Sequence, residues 1–315
     1  MKAALLLALA WATAAQAEPL AYVTDQADDS VSVLDTATGQ VVETVKVGEK
    51  PAGVAVAPGG QRIYVSNPEG GSVSVIAREG GRHAVVATVA LGEGPLGIVA
   101  GPAGREVFVA GWYGHTVSVI DAASLAVSGT IEVGDSPCGM AVGPGRLFVA
   151  NRASDSVSVI DLATRRTVAT IPVGEAPFGI TLDLARGRAF VANVKGASVS
   201  VIDTGSLAET RRLPVRAFPY AVAVTADGGR ILVTNQHDDS VSAFDGASYA
   251  PLATIAVGGY PEGILVHPDG KRALVALWMD DRMAEIDLAS LTVKRRFKVG
   301  GSPRAFGQFM DPALP

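Results

Sequence analysis

The sequence predicts an all-β protein: a seven-bladed β-propeller of four-stranded antiparallel blades, its ring closed by N- and C-terminal strands in one blade. Three observations predict it. Three short motifs recur seven times in fixed order, about 42 residues apart. Short apolar runs alternate with Gly- and Pro-containing turns, and no segment sustains a 3.6-residue apolar period. The copies are also offset from the chain ends, so that one blade draws strands from both.

Taken from the N-terminus, residues 1–17 read as a signal peptide. Lys2 is a short positive region, Ala3–Ala12 an apolar stretch, and Ala15-Gln16-Ala17 a small-x-small cleavage site before Glu18. The apolar stretch is shorter than the roughly 20 residues a bilayer span needs, and no Cys follows the cleavage site to carry a lipid anchor. The expected mature chain starts near Glu18, without a membrane anchor, in a periplasm or outside the cell. It forms a single propeller domain over residues 18–315.

The first motif is a tetrad of aromatic or aliphatic residue, Val, small residue and usually Asn. It stands as YVTD at 22–25, YVSN at 64–67, FVAG at 108–111, FVAN at 148–151 and 190–193, LVTN at 232–235 and LVAL at 274–277. The second, VSVID-like, follows at 31–35, 73–77, 117–121, 157–161, 199–203, 241–245 and 283–287. The third is Val-Gly-x-x-Pro-x-Gly, as in VGEKPAG at 47–53 and VGDSPCG at 133–139, with degenerate copies at 215–221 and 299–305. Each copy yields four strands. In the copy after Gly53, an apolar run at 54–57 turns at Pro58-Gly59-Gly60 into the tetrad strand. A polar loop leads to the alternating strand from Ser72, and a more polar fourth strand follows. The first tetrad, Ala21 to Thr24, has no innermost strand before it. The last first-type strand, near Arg304–Phe309, has no tetrad after it. Together they make one blade and leave no open sheet edge.

Composition agrees. Aromatics are 6% and charged residues 18%, while Val, Ala and Gly abound, as close packing of sheet on sheet requires. Cys138 is the lone cysteine, so no disulfide staples the fold. The net charge of −5 and the lack of a basic run argue against duplex nucleic acid as partner.

The tetrads YVTD, YVSN and FVAN, followed by DSVSVID, resemble the YVTN-type β-propeller repeat over residues 20–309. The resemblance implies the seven-bladed fold. The family includes secreted and surface-layer proteins, and one periplasmic subgroup is associated with pyrroloquinoline-quinone-dependent alcohol oxidation. Related propellers include the d1-haem part of nitrite reductases, the heavy subunit of methylamine dehydrogenase and 6-phosphogluconolactonase-like enzymes.

Positions where the copies differ, on surface loops, are free to serve a ligand. The residue after Pro in the third motif is Ala52, Leu96, Cys138, Phe178, Tyr220, Glu262 and Arg304 in turn. The first residue after the tetrad is Gln26, Pro68, Trp112, Arg152, Val194, Gln236 and Trp278. Both positions are expected on one mouth of the central channel. The candidate ligand- or partner-binding face is therefore Trp112, Tyr113, Arg152, Phe178, Tyr220, Glu262, Trp278 and Arg304, meeting a periplasmic protein or a small ligand. The alternative for four of them is structural: Phe178 and Tyr220 plug the channel while Glu262 and Arg304 close it as an ion pair.

Catalytic motifs are missing. His83, His115, His237 and His267 are scattered over the copies, so no metal site is expected. There is no Cys-x-x-Cys-His, no Gly-x-Ser-x-Gly and no phosphate loop. The recurrent aspartates 35, 121, 161, 203, 245 and 287 are expected to form turns, as are the loop aspartates 29, 155, 239 and 281. On this basis the expected function is a non-catalytic binding or scaffold protein, not an enzyme and without cofactor; the resemblance to the periplasmic subgroup implies a role accessory to a pyrroloquinoline-quinone-dependent alcohol oxidation system. Two alternatives stand beside it: a propeller enzyme of the lactonase or lyase type, and a redox-cofactor (haem) binding propeller.

Overall fold

The computed structural model describes residues 19–92 and 94–311; the expected signal peptide, residues 1–17, lies outside them. Seven antiparallel blades stand around an axis. The closing blade holds Leu20–Asp25, Ser30–Asp35 and Gln40–Lys46. The second runs from Gly53–Val56 to Arg82–Ala90, the third from Pro95–Ala100 to Val127–Glu132, and the fourth from Pro137–Gly143 to Arg166–Pro172. The fifth runs from Pro177–Asp183 to Ala208–Pro214, the sixth from Pro219–Val224 to Pro251–Ala256, and the seventh from Pro261–Val266 to Thr292–Lys298. Among the described residues, helix is limited to single 3-10 turns at Arg152–Ser154, Leu184–Arg186 and Gln236–Asp238.

The tetrad strand of each blade is buried along nearly its whole length, because neighbouring blades cover both its faces, while the outer strand alternates exposed and half-buried residues. That burial explains why tetrad strands read as continuous apolar runs. The aspartates at the ends of the third strands act as expected. Asp35 Oδ1 accepts the N–H groups of Ala37 and Thr38 at 2.8 and 2.9 Å, and Asp121, Asp161, Asp203, Asp245 and Asp287 repeat the pattern. In these five, bonds from backbone N–H groups hold the carboxyl below its ordinary pKa.

Two of the repeated motifs are coupled across blades. Asn67 Nδ2 donates to Ser72 Oγ and Ser74 Oγ at 3.1 and 3.0 Å, and Asn151, Asn193 and Asn235 do the same with their own serines. The glycine of the third motif lies flat on that amide. A Cβ on Gly48 would stand 2.6 Å from Asn67 Cγ, so glycine fits this place without displacing the amide.

The seam closes as the offset of the copies predicts. The segment from Pro303 to Met310 runs antiparallel to the first tetrad strand through the bridges Asp25↔Pro303 and Ala21↔Met310. Tyr22 N–H donates to Phe309 O at 2.7 Å and Arg304 N–H to Thr24 O at 2.9 Å. The strand Phe306–Gln308 also pairs in parallel with Gly53–Val56 of the second blade, so the C-terminal strand joins two blades.

Candidate functional site

The upper mouth of the channel is built by the turn that precedes each innermost strand. The residue before Pro has positive φ in every copy: Lys50 (51°), Gly94 (61°), Ser136 (51°), Ala176 (53°), Phe218 (59°), Tyr260 (56°) and Ser302 (52°). Because this conformation recurs in all seven, it belongs to the framework rather than to a ligand. The loop aspartates hold it: the carboxylates of Asp29, Asp155, Asp239 and Asp281 accept the N–H groups of Lys50, Ala176, Tyr260 and Ser302 from the next blade at 2.7–2.9 Å. The carbonyl of the same turn residue accepts the N–H of the first residue after the tetrad. Gly94 O takes Trp112 N–H at 3.1 Å, Ser136 O takes Arg152 N–H at 3.1 Å and Tyr260 O takes Trp278 N–H at 3.2 Å. Both variable positions therefore share one rim, and Trp112 and Trp278 stand on the same end of the molecule.

The floor of the mouth is aromatic and ionic. Phe178 packs on Tyr220 with centroids 4.3 Å apart and on Phe306 at 5.0 Å. Arg304 Nε donates to Glu262 Oε2 at 2.6 Å; its Nη2 donates to Glu262 Oε1 at 3.2 Å and to Tyr220 OH at 2.8 Å. Gln236 Nε2 adds a bond to Glu262 Oε1 at 3.2 Å. Burial raises the Glu262 carboxyl, against the opposing pull of Arg304. Burial also works against the Arg304 cation, but Glu262 and Tyr220 outweigh it and hold the guanidinium charged. The closing ion pair and the aromatic plug expected as the structural alternative are thus both present. Arg304 Nη1 makes no hydrogen bond among the described residues, and Arg304 lines the cavity above.

That cavity has a volume of about 570 Å³ and is lined chiefly by Trp112, Tyr113, Phe178, Arg304, Lys50 and Glu69. Tyr113, 73% exposed, lays its ring over Gly94, where a Cβ would meet it at 2.9 Å. Of the residues singled out from sequence, Trp112, Tyr113, Phe178 and Arg304 share the cavity, and Tyr220 and Glu262 lie under its floor. Arg152 stands behind Trp112, its guanidinium 5.5 Å from the ring centroid and its Nε buried without a partner. Trp278 turns aside: its Nε1 donates to Gln26 Oε1 at 3.3 Å, and its ring meets Tyr260 at 5.7 Å. Lys50 and Glu69 were not among the predicted site residues. The signal for Lys50 was the variability of the residue before Pro; Glu69 sits one residue beyond the variable Pro68.

The histidines do not converge. His83 bonds Tyr22 OH and Glu43, His115 pairs with Asp135, His237 stacks on Phe218 at 3.9 Å, and His267 is buried against Thr36 and Asp269. Among the described residues no three His, Cys, Asp or Glu side chains are grouped as metal ligands. Cys138 is fully buried, and burial pushes its thiol up to about 12.

No protein-family model matches the chain, and no curated protein sequence does. Solved structures do. The periplasmic gluconolactonase PpgL of Pseudomonas aeruginosa is 19% identical, with 91% of this chain and 97% of that one covered at a TM-score of 0.76. A Bacteroides fragilis protein described as a candidate 6-phosphogluconolactonase is 16% identical over 92% of this chain and 98% of its own, with a TM-score of 0.79. The dihydro-haem d1 dehydrogenase NirN is 17% identical over 94% of this chain and 76% of its own, with a TM-score of 0.69. At such identities the likeness shows the fold: a seven-bladed propeller with gluconolactonase-like propellers among its neighbours.

The likeness also corrects one expectation. Regular repeats and missing catalytic motifs led to a non-catalytic scaffold that is not an enzyme. Propellers of the same architecture, similar over nine-tenths of this chain, carry the names of lactonases and of a dehydrogenase. The repeat accounts for the ring and leaves its mouth free for chemistry, so regularity is no argument against catalysis. The scaffold reading and its accessory role are withdrawn.

Proposed function

We propose that the chain is a propeller hydrolase of the lactonase type, opening a cyclic ester at the upper mouth. The observation that carries this reading is the cavity of about 570 Å³ that the aromatic residues Trp112, Tyr113 and Phe178 line together with Lys50, Arg304 and Glu69. Flat aromatic faces suit the C–H face of a small polyhydroxylated ring, and the cations suit its carbonyl oxygen. Glu69 takes a proton from a water molecule as that water adds to the ester carbonyl carbon. Lys50 and the free Nη1 of Arg304 oppose the charge gathering on the carbonyl oxygen. The acyl C–O bond of the ring then breaks, the leaving alkoxide takes the proton back from Glu69, and an open hydroxy acid departs. No electrons are exchanged. Arg304 needs no reorganisation for this role, because Glu262 and Tyr220 already fix its other nitrogens.

Haem binding is less well supported, since among the described residues no His, Met or Cys lines the cavity to serve as axial ligand. The tetrads YVTD, YVSN and FVAN support a YVTN-type repeat, and the signal-like residues 1–17 support a site of action in a periplasm or outside the cell, with a small ligand as the partner.

The test is a pH-stat assay on a panel of five- and six-membered sugar lactones. Catalysed opening that falls about 100-fold in Glu69→Gln is expected. Opening at the uncatalysed rate across the panel, or a fully active Glu69→Gln, contradicts the reading.

A further inference from the structure

The tetrads end on Asn in four blades and on Asp in one. Asn67, Asn151, Asn193 and Asn235 are fully buried, and each amide donates to two serine hydroxyls of the next strand. Asp25 occupies the same fully buried place in the closing blade. Its serines have to reverse their bonds: Ser32 Oγ donates to Asp25 Oδ2 at 2.7 Å and Ser30 Oγ at 3.5 Å. Oδ1 is buried with no hydrogen-bond partner, as are the amide oxygens of Asn67, Asn193 and Asn235. For a neutral amide an unmet oxygen is a modest cost. For a carboxylate it is half of a buried charge.

The place of Asp25 in the ring gives this difference its consequence. Asp25 sits at the junction where the first and last blades meet. Gly300, which follows the last strand of the seventh blade, lies against it, and a Cβ on Gly300 would stand 2.4 Å from Asp25 Cγ. Asp25 is bridged to Pro303, Gln26 N–H donates to Ser302 O at 3.2 Å, and Ala27 N–H to Gly301 O at 3.0 Å. The residue before it, Thr24, accepts the N–H of Arg304 and so holds the base of a cavity residue. The groups facing Asp25 are the hydroxyls of Ser30 and Ser32 on its neighbouring strand, the backbone of Gly300 on the seventh blade, and the like charge of Asp28 in its own loop. Among the described residues no cation pairs with it.

We propose that Asp25 is a proton switch in the ring-closing seam: as the neutral acid it lets the first and last blades lock, and as the carboxylate it loosens them. Burial, with a smaller contribution from Asp28, raises its pKa to about 7 against the opposing bonds of Ser32, Gly300 and Ser30. The folded chain therefore keeps a proton that the unfolded chain, with an ordinary aspartate near 3.9, has released. The stabilisation from protonated Asp25 is full below about pH 4 and is lost as pH rises through about 7. Replacing Asp25 by the Asn of the other blades removes the switch and restores the amide-to-serine bonds.

The experiment is amide hydrogen exchange on the full chain between pH 5 and 8, corrected for intrinsic exchange, with thermal melts of the same samples. In the wild type, protection of the amides of residues 22–27 and 304–311 should fall at least tenfold between pH 5 and 7 and level off above it, while amides of the fourth and fifth blades stay level. Asp25→Asn should abolish that step and melt about 5 °C above wild type at pH 8, the gap closing toward pH 4.5. Asp28→Asn should keep the step and move it to lower pH. A step that survives in Asp25→Asn, or an Asp25→Asn protein that melts below wild type at pH 8, overturns the proposal.

Discussion

The two mouths of the central channel are made by the same seven strands and differ in almost every chemical respect. The upper mouth holds Trp112, Tyr113, Lys50, Glu69 and Arg304 over an ionic and aromatic floor. The lower mouth, about 430 Å³, is lined by the glycine backbone and by aliphatic side chains such as Ile98, Met140, Ile180, Leu184 and Ile264. The waist between them explains the contrast. A Cβ on Gly97 would stand 1.8 Å from Cys138 O, on Gly139 2.1 Å from Phe178 O, and on Gly263 1.9 Å from Ala305 O. Innermost strands this close admit glycine or alanine and little else. Variation is excluded from the waist and passes to the turns above it, where each blade can differ without disturbing its neighbours. Chemistry collects at the end where the framework constrains side chains least.

The largest effect on this contrast should come from cutting the ion pair of the upper floor. Glu262→Ala leaves Arg304 buried without its carboxylate and should lose about 3–5 kcal/mol in urea unfolding. The double replacement Glu262→Leu with Arg304→Met should recover most of that stability while losing activity. A floor whose single and double variants unfold alike would show that the pair is not coupled. Next, Glu69→Gln should leave stability within about 0.5 kcal/mol, so that its loss of lactone opening is chemical rather than structural. A smaller effect is expected of Trp112→Ala, with KM raised about tenfold and kcat changed less, as for a platform that binds ring and transition state alike. The smallest belongs to the lower mouth. Leu184, 56% exposed, should accept Leu184→Asp with activity unchanged and stability within about 0.5 kcal/mol. Activity lost there and kept in Trp112→Ala would exchange the roles of the two mouths.

Much of this molecule is legible in its sequence because the repeat states each rule several times. The offset of the first tetrad and the last innermost strand reveals the closing blade, and the motif position after Pro marks Phe178, Tyr220, Glu262 and Arg304 as floor residues. What the repeat does not state is how equivalent positions diverge in space. Trp112 and Trp278 occupy the same place in their blades, yet one walls the cavity and the other turns to Gln26 and Tyr260. Lys50 reaches the cavity through a positive φ held by Asp29 of the preceding blade, a contact between residues 21 apart in sequence. The change from Asn to Asp at residue 25 is visible in the sequence, but its burial without a partner is not. Nor does catalytic capacity announce itself by a motif, because the groups proposed for it come from different blades.

Of the chain's three tryptophans, Trp11 falls within the proposed leader at 1–17, and Trp112 and Trp278 stand on the rim of the upper mouth. Intrinsic fluorescence of a Trp278→Phe protein therefore reports on the upper cavity alone. Titrating it with the open hydroxy acid of whichever lactone is turned over best should give a saturable change in emission that disappears in Trp112→Phe. A flat titration in a protein that still opens the lactone would contradict a site at this mouth.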